Sequence, residues 1–218
     1  MSNYPVTLVD LEQGAIVIGG GDVATRKVQG LLDAGACVTV IAPQFTPELE
    51  DLARAQRIAA LRRAYQAGDL CDARVVIAAT DDPQVNQAVY DEARTRGILV
   101  NVADDPAHCT FHVPAVIRRG QIAIAISTGG TSPALAKHLR HEIEQTIGAE
   151  YELLARLLAE LRPRVQARVP RERREALWHE LIDVALPLLR AGDESAARKK
   201  IQTIIQKAEI GRQTAFSA

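Results

Sequence analysis

Three short segments of this 218-residue chain carry side chains that do chemistry once a fold brings them to a rim. The first is Gly19-Gly20-Gly21-Asp22-Val23-Ala24, a match to G-x-G-x-x-G/A. In that pattern Gly19 permits a tight turn, Gly21 lets backbone approach a pyrophosphate, and the small Ala24 packs a helix on a strand. The helix start adds free N–H groups and a positive dipole for phosphates. The second is Asn101-Val102-Ala103-Asp104-Asp105. Adjacent side chains on extended backbone diverge, so the two carboxylates are not expected to work as a pair: one faces a cleft, the other solvent. A carboxylate beside a nicotinamide is a general base or a holder of a substrate N–H; a plain turn before Pro106 explains the same residues equally well. The third is Ser127-Thr128-Gly129-Gly130-Thr131-Ser132-Pro133, a small polar loop entering a helix. It suits a carboxylate or phosphate, with ordinary capping by Ser132 alongside.

Elements must position these segments, and their pattern is legible. Ala15–Ile18 reads as a buried strand, followed at once by the glycines and a helix over 23–34 that Gly35 terminates. Residues 37–41 read as a second strand, with Cys37 packed inside it, then a helix over 47–56 and a weaker strand near 58–61. Residues 74–79 and 98–102 read as further strands. Between them Asp82-Pro83 opens a helix to Arg96 by the N-cap and proline rule. Continuous apolar strands alternating with helices imply a parallel sheet covered on both faces: an α/β, Rossmann-type doubly wound fold. Ligands of such sheets bind at the carboxyl ends of the strands. That places Thr80 as a ligand neighbour, while Asp82 caps.

The pattern then changes. Residues 111–117 and 121–127 read as paired strands around Arg118-Arg119-Gly120, and Ser132-Pro133 opens a helix to Ile147. From Glu150 the chain reads as helical, with breaks near Pro163, Pro170, Pro187 and Gly192. The expected domains are a dinucleotide-binding Rossmann domain over 1–112, a small α+β module over 113–148 and a helical C-terminal domain over 149–218.

Several function classes are excluded. With 26 basic against 27 acidic residues there is no electrostatic footprint for nucleic acid. The three cysteines, Cys37, Cys71 and Cys109, form no C-x-x-C pair and suggest neither a zinc ribbon nor a disulfide framework. No signal peptide or membrane-length apolar run is visible, so a soluble, reducing, cytoplasmic setting is expected. His138 and His141 share a helix face, but two histidines without a third ligand make no metal site; His108 and His112 also lack a ligand cluster. Arg162, Arg164, Arg168, Arg171, Arg173 and Arg174 read as a solvated face balanced by Glu172 and Glu175, ahead of a site for a polyanion. One expected piece is missing: the second strand ends Val40-Ile41-Ala42-Pro43-Gln44, without the acid that grips a ribose 2′-hydroxyl. Ribose recognition then falls to backbone or Gln44, and NAD and NADP both stay open.

Taken in order, the glycine segment with Arg26-Lys27, then Ala78-Ala79-Thr80-Asp81-Asp82, then Asn101-Val102-Ala103-Asp104, then Ser127–Pro133 resemble the precorrin-2 dehydrogenase/sirohydrochlorin ferrochelatase family, the N-terminal module of siroheme synthase. The resemblance covers residues 5–145; the helical remainder agrees in character. It implies NAD-dependent removal of hydrogen from precorrin-2 to give sirohydrochlorin, with Fe2+ insertion added in some members. It implies a homodimer in which the module after Phe111 serves both the interface and the active-site cleft. The family's catalytic aspartate falls on Asp104. Gly19, Gly21, Asp22, Val23, Ala24, Pro43, Gln44 and Thr80 fall to the cofactor, and Ser127, Thr128, Gly129, Gly130, Thr131 and Ser132 to the tetrapyrrole. Thr128 stands where some members carry a phosphorylatable serine. Without the methyltransferase domain of fused siroheme synthases, methylation of uroporphyrinogen is not expected. Two alternatives stand beside this reading: a dehydrogenase without chelatase activity, and a non-catalytic NAD(H)-sensing module acting through its Arg-rich helical part.

Overall fold

The computed structural model describes residues 3–210. They fall into two units, dividing between Val113 and Pro114.

The first unit is built on five parallel strands: β1 (Ala15–Ile18), β2 (Val38–Ile41), β3 (Ala59–Leu61), β4 (Val75–Ala78) and β5 (Leu99–Val102), in the order β3-β2-β1-β4-β5. Helices α1 (Asp22–Asp33), α2 (Pro47–Arg54) and α3 (Pro83–Arg96) make three of the four connections, and β3 reaches β4 through a segment without a helix. Every residue of β1 and β4 is buried, as a sheet covered on both faces requires. Alternate residues feed two cores. Ile16 and Ile18 join Val76, Ala78, Val89 and Val100 on one face, while Ala15 and Val17 join Ala24, Val28, Val40 and Leu49 on the other. Short 3-10 turns at Leu11–Gln13 and Pro106–His108 add to the expected elements.

Cys37 is not packed in a strand. β2 starts at Val38, opposite Ala15, and Cys37 is exposed on the connection. The left-handed Gly35 ends the α1 turn, and it is Ala36 that is buried.

The second unit opens with a hairpin, β6 (Ala115–Arg119) and β7 (Ile122–Ile126), followed by α4 (Pro133–Thr146). The hairpin begins four residues later than the sequence suggests, and Arg118 and Arg119 belong to the strand rather than the turn. Pro114 offers no N–H to a ladder, and Gly120 at φ +56 makes the reversal. Helices α5 (Glu150–Arg168), α6 (Arg171–Arg190) and α7 (Glu194–Ile210) share one apolar core that includes Leu157, Val165, Leu181, Ala185, Ile201 and Ile205. Breaks do occur at Pro170 and Gly192, but Pro163 and Pro187 lie inside α5 and α6. Both prolines are on exposed faces, so the missing N–H falls on the solvent side. An interior proline costs about 3 kcal/mol; each buried Leu on the opposite stripe returns about 1.5–3 kcal/mol.

The arginine-rich stretch is partly spent on structure. Arg164 forms a two-pronged pair with Glu209, and Arg174 donates to the carbonyls of Val169 and Gln166. Among the described residues no helix is long and apolar enough to cross a membrane.

Candidate functional site

At the carboxyl ends of β1, β2 and β4 the chain leaves a cavity of about 570 Å³. Its wall includes Gly19, Gly20, Gly21, Asp22 and Val23 from the β1–α1 loop, Pro43 and Gln44 after β2, and Thr80, Asp81 and Asp82 after β4. Tyr65, from the segment after β3, also lines it. Local reasons put each piece there. The strands stop together because their registers align Ile18 with Ile41 and with Ala78, so three loops leave the sheet at one level.

The glycines are fixed by what surrounds them. A Cβ on Gly19, which has φ +126, would stand 2.2 Å from the Ala79 carbonyl oxygen; one on Gly20 would stand 1.9 Å from that of Gln44. Neither position accepts a side chain. A Cβ on Gly21 would meet nothing within 4 Å and would project into open space. Gly21 is also the N-cap of α1 and supplies no side chain to it, so the first N–H groups of that helix lack an intrahelical acceptor. Uncapped donors facing room for a group are what a pyrophosphate requires. Ala24 is fully buried behind the loop and packs α1 on the sheet rather than lining the cavity.

The cavity's charged wall is acidic: Asp22, Asp81 and Asp82, with no lysine or arginine among the described residues that line it. Of the arginines near it, Arg62 is paired with Glu50 and Arg63 with Asp69. Asp82 caps α3 through the N–H groups of Gln84 and Val85. The Thr80 hydroxyl lies 2.9 Å from Asn86 Oδ1, and Asn86 Nδ2 returns a bond to the Thr80 carbonyl.

Asp104 does not line this cavity. It sits on the turn after β5, exposed and left-handed at φ +59. A bond from the Asp105 N–H to the Val102 carbonyl closes that turn. The two acids have separate surroundings. Asp105 Oδ2 lies 2.6 Å from His108 Nδ1 and Oδ1 accepts from the Ala107 N–H, and the His108 bond holds the Asp105 carboxyl below its ordinary range. His108 stands edge-on to Tyr90. Asp104 has no hydrogen-bond or ion-pair partner among the described residues.

Sequence reasoning gave no role of its own to Lys27. This half-buried lysine of α1 has its pKa lowered by burial first and by Arg26 second, while the charge of Asp104 draws it back up. A lysine one turn into a helix that follows a glycine loop was the available signal.

In the second unit, Ser127–Ser132 is a self-bonded loop. Thr128 Oγ1 donates to the Ser132 carbonyl and accepts from its N–H, Thr131 Oγ1 donates to the Thr128 carbonyl, and Ser132 caps α4 through the Leu135 N–H. Gly129 and Gly130 are left-handed, at φ +65 and +82. Most of the loop's hydroxyls are therefore spent on its own shape.

Comparison with known proteins follows the same division. Residues 8–115 match a NAD(P)-binding family model, residues 119–146 the sirohaem biosynthesis protein central model, and residues 150–205 the sirohaem synthase dimerisation region. The dimerisation description thus falls on the helices that follow the hairpin module. Siroheme synthase from Methylobacillus flagellatus is 39% identical over 207 residues, covering 94% of this chain and 44% of that protein. Siroheme synthase from Methylococcus capsulatus is 43% identical over 184 residues, covering 84% of this chain and 39% of that protein. The chain spans about two fifths of the length of these curated relatives. A solved structure named SirC, precorrin-2 dehydrogenase, aligns with a TM-score of 0.75 at 28% identity, over 93% of this chain and 100% of that one. The glycine cavity and the aspartate turn thus lie on the first matched module and the threonine-glycine loop on the second, and the chain matches, in order, a NAD(P)-binding module followed by the central and dimerisation modules of the sirohaem synthase family.

Proposed function

We propose that this chain dehydrogenates precorrin-2 to sirohydrochlorin with NAD+, working as a homodimer in the cytoplasm. The observation that carries the reading is the cavity against Gly19–Val23, with uncapped helix donors, room beyond Gly21 and an acidic wall. The full-length likeness to SirC, named precorrin-2 dehydrogenase, supports the substrate, and the dimerisation-region match supports the oligomer.

Bound in this cavity, NAD+ supplies the acceptor for a hydride. The chain's own residues do the rest. The backbone of Gly21 and the first turn of α1 hold the pyrophosphate, and Gly19, Asp22, Val23, Pro43, Gln44 and Thr80 shape the bed around it. Dehydrogenation releases one proton with each hydride, and Asp104, a carboxylate with no competing partner, accepts it. In the second unit we assign carboxylates of the polyanionic macrocycle to the loop of Ser127, Thr128, Gly129, Gly130, Thr131 and Ser132, through donors that its internal bonds leave over, the Gly130 N–H and the Ser127 and Ser132 hydroxyls among them. The missing acid after β2 does not shift the preference to NADP: a 2′-phosphate in this cavity would meet the carboxylates of Asp22, Asp81 and Asp82.

We propose iron insertion as a second reaction at the same carboxylate, which would take one of the two N–H protons that substrate Fe2+ displaces, the other passing to water. A cofactor sensor without catalysis has less support, since it gives no reason for an unpartnered carboxylate on a strained turn. Anaerobic incubation with precorrin-2 and NAD+, followed by NADH absorbance and by the sirohydrochlorin spectrum, tests the proposal. Stoichiometric NADH and sirohydrochlorin are expected; neither appearing would sink it. Adding Fe2+ to the sirohydrochlorin so formed reads the chelatase separately.

A further inference from the structure

The turn that carries Asp104 is held from behind by a thiol. Cys109 lies half-buried just after the Pro106–His108 turn. Its Sγ stands 3.3 Å from both the N–H and the carbonyl of Val102 and 3.2 Å from the Asp105 carbonyl. Asn101, at 7% exposure the buried polar side chain of the sheet, donates from Nδ2 to that sulfur at 3.3 Å and to the Phe111 carbonyl at 3.0 Å. The contacts flank Asp104 on both sides, Val102 before it and Asp105 after it.

That support answers a specific need. A non-glycine residue in the left-handed region costs about 1–2 kcal/mol, and such strain persists only where the surroundings over-determine it. Burial pushes the Cys109 thiol upward in pKa, so it stays protonated and keeps a hydrogen to donate. One S–H serves either the Val102 or the Asp105 carbonyl, while the sulfur lone pairs accept from Val102 N–H and Asn101.

We propose that Cys109 is a positioning residue for the dehydrogenation, holding the Asp104 turn in its left-handed form through hydrogen bonds to Val102 and Asp105. This rests on the reading of Asp104 as the proton acceptor, and the thiol itself touches neither substrate nor cofactor.

The test compares Cys109→Ser, which keeps a donor and acceptor, with Cys109→Val, which keeps volume and loses both; Cys109→Ala replaces the valine variant if that one does not fold. Each is measured for NAD+ Kd, Tm and precorrin-2 turnover, alone and combined with Asp104→Ala. The valine variant is expected to lose about tenfold or more in kcat, the usual cost of disturbing an outer support, with NAD+ Kd unchanged. The serine variant should regain most of that loss, and the double variant should be no slower than Asp104→Ala alone. Equal rates for the serine and valine variants, or independent losses that multiply in the double variant, would overturn the proposal. A wild-type chain that forms no NADH from precorrin-2, or an Asp104→Ala variant at full rate, would instead overturn the functional reading beneath it.

Discussion

Asp104 and Asp105 are neighbours in sequence with opposite surroundings: Asp105 stands 2.6 Å from His108 and caps a 3-10 turn, while Asp104 projects from a φ +59 backbone with no hydrogen-bond or ion-pair partner among the described residues. The first is structural and the second is strained without structural return. Asp104→Gly should therefore gain up to about 1 kcal/mol, because glycine enters the left-handed region freely, and should abolish dehydrogenation. A melting curve and an NADH assay on the same preparation check both halves; a variant that is active and less stable contradicts the assignment.

Asp105 gives a pH test. The His108 bond holds its folded pKa below the ordinary 3.8. A carboxyl with a depressed folded pKa contributes stability above its unfolded pKa and loses it as pH falls through the folded value. Asp105→Asn should lower Tm at pH 7, and the gap to wild type should close as pH drops below about 3.8. A constant gap from pH 7 to pH 3 would show that the ionised carboxylate is not what His108 holds.

The three glycines should separate by experiment. Gly19→Ala and Gly20→Ala each drive a methyl into backbone at 2.2 or 1.9 Å, and should cost about 2–4 kcal/mol or prevent folding. Gly21→Ala has free space and should fold with nearly wild-type Tm while weakening NAD+ about tenfold or more, roughly 1.4 kcal/mol. Calorimetric titration with NAD+ reads this directly.

Cofactor choice follows from the acidic wall. NADP+ should bind at least about tenfold more weakly than NAD+, since a 2′-phosphate meets like charge. Gln44→Arg, on an exposed rim position, should narrow that gap by improving NADP+ affinity. Equal affinity of the wild type for both would contradict the argument.

Lys27 should show stability traded for function. Its folded pKa lies below the ordinary 10.5, chiefly through burial, so its charge opposes folding. For a base shifted this way the cost is complete below the folded pKa and vanishes above about 10.5. Lys27→Met should raise Tm at pH 7, with the gain shrinking toward pH 10.5, and should slow turnover if the cation serves Asp104 or a substrate carboxylate. A lower Tm at pH 7 would show that Lys27 has a partner worth more than its burial costs.

Much of this was legible in the sequence for identifiable reasons. Ala15–Ile18 and Val75–Ala78 declare themselves because both faces of their strands are buried, which leaves uninterrupted apolar runs. Asp82 and Ser132 are readable as caps because the following proline forbids a longer helix upstream. Pro163 and Pro187 misled because the apolar stripe across from each outweighs one lost bond, and exposure of a face is a tertiary fact. The left-handed Asp104 and its thiol support stayed invisible for a related reason. Both depend on a contact between the end of β5 and a residue beyond the next turn, which composition and periodicity do not record.

The sheet itself sets a limit on how this chain can change. β1 is four residues long, about 13 Å at ~3.3 Å per residue, and its alternate side chains belong to two different cores. Removing a single residue between Ala15 and Ile18 would exchange those allegiances and pull Gly19 back from the rim. Adding one would push the glycines out past the Ala79 carbonyl that now sets their distance. A change of side chain on the rim at an open position such as Gln44 leaves that geometry alone, whereas a change in the length of this strand moves the whole glycine loop.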